Sequence, residues 1–72
     1  MNLTLQEYHI KEGSEIDNVQ IKDSNIPREL RIIGLRNPDG EMFVNPESST
    51  LLRVGQVMII LGERSKMKEL NR

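Results

Sequence analysis

From Leu30 to Gly62 the chain alternates short apolar runs with turn-forming residues, and the order of those runs predicts an antiparallel sheet. Leu30-Arg-Ile-Ile-Gly-Leu-Arg36 and Met42-Phe-Val44 are both short, branched or aromatic, and flank Asn37-Pro-Asp-Gly40. In that turn Asn37 and Asp39 can accept from backbone amides two residues on. Pro38 pre-sets its own φ, and Gly40 takes a positive φ without steric cost. The two runs therefore read as a hairpin. At Asn45-Pro46 the ladder must end, because proline has no amide proton and restricts the residue before it. A polar loop, Glu47-Ser-Ser-Thr50, follows, then a tight turn at Val54-Gly55-Gln56, then Val57-Met-Ile-Ile-Leu61. Five consecutive apolar residues leave no wet face, which predicts a strand covered on both sides.

The ends of the chain are patterned differently. Leu3 and Leu5 are the apolar members at the start, but Tyr8 and Ile10 take over later, and this change of phase predicts a kink or bulge at Gln6-Glu7. Ser14 can cap a helix, with Asp17 placed for a capping box and Ile16 and Val19 on one face. Asn25 and Pro27 stop it. Glu63 or Ser65 opens a last helix in which Met67 and Leu70 turn inward, while Lys68 and Arg72 sit near its negative end. The architecture expected is α+β: a small, mainly antiparallel β-sheet with a short helix after the first strand and another at the C-terminus.

Composition narrows the function. At 72 residues, positions 1–72 make one domain with a core small enough to need a partner, a metal or a staple. The chain has no cysteine, so disulfides and thiolate ligands are excluded, and its single histidine, His9, makes a histidine zinc site implausible. The longest apolar run falls far short of the roughly 20 residues of a membrane helix, and Met1-Asn-Leu-Thr-Leu5 lacks the features of a secretory signal. Ten basic and eleven acidic residues are interspersed without a block of either sign, which argues against a nucleic-acid or anionic-membrane surface.

Gly13-Ser14, Asp39-Gly40-Glu41, Asn45-Pro46, Gly55-Gln56 and Ile59-Ile-Leu-Gly62 follow one another at the spacing of a known family. The chain resembles the C-terminal subdomain of the RCK regulatory family, the TrkA-C domain, over nearly its whole length. Gln56 stands where that family usually has aspartate, and Asn18 where it usually has glycine; asparagine tolerates left-handed backbone better than most residues. The resemblance implies a regulatory, non-enzymatic domain excised from a longer chain. It would lie at the cytoplasmic face of the membrane, linked to a nucleotide-binding RCK subdomain and a potassium channel or transporter. It also implies a homodimer whose two-fold crevice suits a symmetric effector such as cyclic di-adenosine monophosphate, or another nucleotide. The family's binding positions fall here near Val19, Asp23, Arg31 and Pro46. Effector binding would bias the paired arrangement by no more than its differential affinity for the two states.

Other residues have plainer readings. His9 belongs on the wet face of the first strand, opposite Tyr8 and Ile10. Ser48, Ser49 and Thr50 have no activating base and suit loop amides. Asp39, Glu41 and Glu47 lack the ligand ladder of a calcium loop. Arg31, in strand parity with Ile33 and Leu35, either presents a guanidinium to an anion or lays its stem along a sheet edge. Two rivals remain: a small β-rich RNA- or peptide-binding module using Tyr8 and Phe43, and a structural dimerisation domain without ligand.

Overall fold

The two glycine turns and the apolar run between them and the C-terminus organise the chain. In the computed structural model, which describes residues 2–70, the strands are β1 (Leu3–His9), β2 (Val19–Gln20), β3 (Arg31–Arg36), β4 (Met42–Val44), β5 (Leu51–Leu52) and β6 (Val57–Glu63). One helical turn, α1 (Arg64–Met67), follows. Four strands form an antiparallel sheet in the order β1-β6-β3-β4, and β2 pairs with β5 in a separate two-stranded ladder. The hairpin forms as the residues require: Gly40 sits at φ 94°, its N–H donates to Asn37 O at 2.9 Å, and Glu41 N–H donates to Asp39 Oδ1 at 2.9 Å. The second turn places Gly55 at φ 93°. There Gln56 Oε1 accepts from Arg53 N–H at 2.8 Å while its Nε2 donates to Asn37 Oδ1 at 2.9 Å. Asn37 thus ties the two turns together with a side chain expected to serve only its own.

The inner face of the sheet is the core. Ile10, Leu35, Leu52, Met58 and Ile60 are essentially inaccessible, and Ile16, Ile21 and Ile26 pack against them from the segment after β1. Met67 and Leu70 turn inward from α1 and the 3₁₀ turn Lys68–Leu70, closing the core as their spacing predicts. Glu63 is the residue before α1, with no side-chain cap bond; Arg72 lies outside the described residues.

Four expectations are corrected. No α-helix follows β1. Ser14 Oγ does accept from Ile16 N–H at 3.3 Å, but Asp17 does not return the bond, because its carboxylate accepts from Val54 N–H at 3.1 Å and lies 3.4 Å from Arg53 Nε. Asn18 then takes φ 65° and donates its N–H to Leu52 O at 2.8 Å. Pairing with β5 wins over helix propagation in a segment too short to repay helix nucleation, leaving turns and one 3₁₀ turn, Ile21–Asp23.

Second, β1 carries no bulge at Gln6-Glu7. It pairs with β6 without a break from Leu3 opposite Glu63 to His9 opposite Val57. The change of phase is absorbed by leaving Leu3 and Leu5 exposed on the outer face while Tyr8 and Ile10 turn inward. The bulge lies instead in β3, between Ile32 and Gly34. Third, that bulge breaks the parity expected of Arg31: Arg31 faces outward opposite Leu61, whereas Leu35 faces the core opposite Met58. Fourth, β6 is covered unequally on its two sides; Met58 and Ile60 are fully buried on the inner side, whereas on the outer side Val57 is buried but Ile59 and Leu61 are only partly so.

Candidate functional site

Two surface features stand out, a cavity beside the end of β1 and the outer face of the four-stranded sheet. The cavity arises where the chain leaves β1. Ile10 is anchored by its N–H to Gln56 O and by its O from Gly55 N–H, both at 2.9 Å, and Gly13 at φ 83° then swings the backbone outward. The opposite wall is Asp23–Ile26, turned by Asn25 at φ 58°. Between them lies a half-open space of about 740 Å³ with Tyr8, Ile16 and Met58 among its lining residues. Glu7, Glu12, Glu15 and Asp23 line it against Lys11 and His9, so carboxylates outnumber cations at its mouth. That balance opposes a phosphate-bearing ligand in this space. His9 is exposed, as expected, and its Nε2 lies 3.6 Å from Glu7 Oε1.

Of the four residues expected at a ligand site, Asp23 lines the cavity and Val19, Arg31 and Pro46 do not. Lys22 N–H donates to Ser48 O at 2.9 Å and Ile21 N–H to Thr50 O at 3.0 Å. Those bonds lay the stretch after Pro46 beside the one running from Val19 to Asp23. Val19 is half-buried in β2 opposite Leu52. Arg31 stands apart, exposed on the outer sheet face.

The outer face follows from the registers. Directly paired residues project to the same side, so Leu3, Leu5, Glu7 and His9 of β1 lie beside Glu63, Leu61, Ile59 and Val57 of β6. Arg31, Gly34 and Arg36 of β3 continue those rows, and Val44 and Met42 of β4 complete them. Relative exposures of 56% for Leu3, 60% for Leu5, 43% for Met42 and 72% for Val44 mark this as a contiguous apolar surface and not scattered residues. Gly34 at its centre has no side chain, and Met42 Sδ lies 3.0 Å from where a Cβ would stand. Charges also lie within it: Arg36 Nη1 on β3 meets Glu7 Oε2 on β1 at 3.3 Å across β6, while Arg31 and Glu63 sit at the end away from the β3–β4 turn. These apolar residues were missed as site candidates; the signal for them was the phase change in β1, which was assigned to a backbone kink.

The rival nucleic-acid platform loses its geometry. Tyr8 and Phe43 lie in one row but on opposite edge strands, with buried Met58 and Leu35 between them. Three strand spacings of about 4.8 Å hold them apart, too far for a shared stack. Elsewhere, Lys66 lies 3.7 Å from Glu29 and 3.5 Å from Glu69, and these carboxylates, Glu29 foremost, hold its pKa above the ordinary lysine value. Among the described residues no three acidic or histidine side chains converge as metal ligands would, and no helix is long and apolar enough to cross a membrane.

The model of the TrkA-C domain family matches residues 5–72. No curated protein matches the chain.

Proposed function

The chain belongs to the TrkA-C family, whose domains are associated with regulation of potassium transport, and from that premise we propose that it is a dimerising, ligand-sensing regulatory domain that acts by binding and not by catalysis. The observation that carries this reading is the exposed apolar outer face of the four-stranded sheet, with Leu3, Leu5, Met42 and Val44 open to solvent, a surface suited to work against a partner. The domain pairs with a second copy and lies on the cytoplasmic side of the membrane, linked to a nucleotide-binding RCK subdomain and a potassium channel or transporter. The effector, cyclic di-adenosine monophosphate or another nucleotide, binds in a crevice completed by both copies, with Val19, Asp23, Arg31 and Pro46 as its candidate contacts. The acidic cavity within one chain is not that crevice, since its carboxylates oppose phosphate.

A thermal-shift panel tests ligand sensing: cyclic di-adenosine monophosphate, ATP, ADP, NAD, calcium and magnesium. At about 100 times its dissociation constant, a specific ligand stabilises by roughly 2.7 kcal/mol, and each kcal/mol raises Tm by about 4–8 °C in a domain of this size. The expected result is a large shift with one nucleotide that Arg31→Ala diminishes. No shift with any compound overturns ligand sensing and leaves pairing alone as the role.

A further inference from the structure

We infer that the free edge of β1, where it borders the cavity, is a docking site for a partner protein's extended peptide segment, which adds to the sheet as a further strand and carries alternating basic and apolar side chains. This goes beyond the pairing and effector readings and depends on neither.

The edge comes first. The strand order β1-β6-β3-β4 leaves β1 paired on one side only. Both ends of that pairing show which backbone groups it uses. Asn2 O accepts from Arg64 N–H at 3.3 Å, while Ile10 donates its N–H to Gln56 O and accepts at its O from Gly55 N–H, both at 2.9 Å. Successive residues of a strand present these groups to opposite edges, so the even-numbered positions bond to β6, and the N–H and C=O of Glu7 and His9 point away from the sheet. Among the described residues those groups have no partner. Proline and bulges are common devices by which a strand edge refuses a partner, and β1 has neither over its seven residues.

The second observation is the groove beside that edge. Glu7, Tyr8 and His9 form one side of the cavity and Asp23–Ile26 the other. Tyr8, Ile16 and Ile26, each partly buried against the core, give it an apolar floor. The third is charge. Glu7 is already held by Arg36 at 3.3 Å and lies 3.6 Å from His9. Glu12, Glu15 and Asp23 also line the space, and among the described residues no basic side chain lies within ion-pair distance of them. Lys11 is the one lysine or arginine in the lining. An acidic strand is repelled here, the same edge of a second copy included, and a basic one is attracted.

In an antiparallel addition about 4.8 Å from β1, two alternate residues of the segment exchange N–H···O bonds with Glu7 and His9, and their side chains project to the outer face beside the Glu7 carboxylate. The residue between them lies opposite Tyr8 and projects inward over the apolar floor. Basic side chains on the rest of the segment meet Glu12, Glu15 and Asp23. Main-chain bonds supply affinity, and the alternation supplies selectivity.

Heteronuclear NMR titration of the 72-residue chain with a capped heptapeptide of alternating lysine and valine, lysine at both ends, tests the site. Its companions are a glutamate–valine peptide, a lysine–valine peptide N-methylated at every lysine nitrogen, and one N-methylated at every valine nitrogen. The expected result is saturable binding of the lysine–valine peptide, with amide shifts centred on Glu7, His9 and Asp23–Ile26, and no binding of the glutamate–valine peptide. Methylation at the lysine nitrogens, which face β1, should weaken binding about tenfold or more because two hydrogen bonds are lost; methylation at the valine nitrogens, which face away, should leave it nearly unchanged. The double variant Glu12→Lys/Glu15→Lys, at two exposed positions, should weaken it about tenfold, with circular dichroism checking that the fold is kept. A dissociation constant weaker than about 1 mM for the lysine–valine peptide overturns the site. Equal binding of the two methylated peptides overturns strand addition, and binding that the double variant leaves unchanged overturns the assignment to this groove.

Discussion

Two glycines in adjacent strands give a matched test of how closely the fold is packed. Gly62 in β6 and Gly34 in β3 both have ordinary extended backbone that alanine can adopt, and replacing either reduces the freedom of the unfolded chain, a gain of about 0.4–1 kcal/mol. They differ in what a methyl group would meet. At Gly62 it would overlap Leu30 Cδ2, with Glu29 O and Leu30 Cα both at 3.4 Å behind it. Leu30 is a buried core residue and its backbone approaches too, so the side chain cannot simply swing clear. Overpacking of this kind costs about 1–3 kcal/mol. At Gly34 the nearest atom is Met42 Sδ at 3.0 Å, the end of a flexible and half-exposed side chain, which can give way at little cost. Gly62→Ala should therefore lose about 1–2 kcal/mol net while Gly34→Ala is neutral or slightly stabilising. At about 4–8 °C per kcal/mol in a domain this small, thermal unfolding followed by circular dichroism at one fixed protein concentration should show Gly62→Ala melting at least 4 °C below wild type. If Gly62→Ala melts at or above Gly34→Ala, the close approach of Leu30 to β6 is not the constraint described.

Asp17 should matter more than an exposed acid ordinarily does, since its Oδ1 accepts from Val54 N–H at 3.1 Å and joins segments 37 residues apart. Asp17→Ala should cost about 1–3 kcal/mol by leaving a partly buried amide unpaired, read as a lower urea midpoint at unchanged m; Asp17→Asn, which keeps an acceptor, should retain most of it. The left-handed asparagine at φ 65° predicts that Asn18→Gly is neutral or slightly stabilising and that Asn18→Val loses roughly 1–2 kcal/mol. Equal melting temperatures for those two variants would refute the argument from backbone conformation.

What could be read in the sequence was whatever short-range chemistry decides. The Asn37–Gly40 turn, the end of β4 at Asn45-Pro46, the Gly55 turn, and the inward Met67 and Leu70 each depend on residues within one turn of themselves, and all formed as expected. Failures came where a distant partner outweighed a local preference. Ser14 and Asp17 are sound capping residues, but Val54 and Arg53 claim the Asp17 carboxylate and Leu52 O claims the Asn18 amide, so the helix never starts. The ladder of β2 and β5, two residues each, carries no period long enough to detect. The bulge in β3 changed which face Arg31 occupies without leaving a mark that alternation could reveal. Among the expected site residues, placement was legible only for Pro46, whose Asn-Pro corner ends β4.

The change of phase in β1 and the unbroken apolar run of β6 are two signs of one fact. Read separately, the first suggested a kinked strand and the second a strand buried on both faces. Taken with the registers, Leu3 and Leu5 lie on the same outer surface as Ile59 and Leu61, and a regular strand explains both patterns once that surface has something to cover it. A chain of 72 residues buries only about 60% of the surface its unfolded form exposes. Among the described residues, the segments from Ile16 to Ile26 and the C-terminal turns pack on the inner face. On the proposed reading the domain's stability is linked to what covers that face, because a partner that binds only the folded chain adds its binding free energy to that of folding. Any effector that changes how two such faces meet is then measurable as a change in melting temperature, even if it touches neither core. Under this linkage the wild-type chain should melt at a temperature that rises with protein concentration, and Leu5→Glu should abolish that dependence while leaving the Tm of dilute protein unchanged.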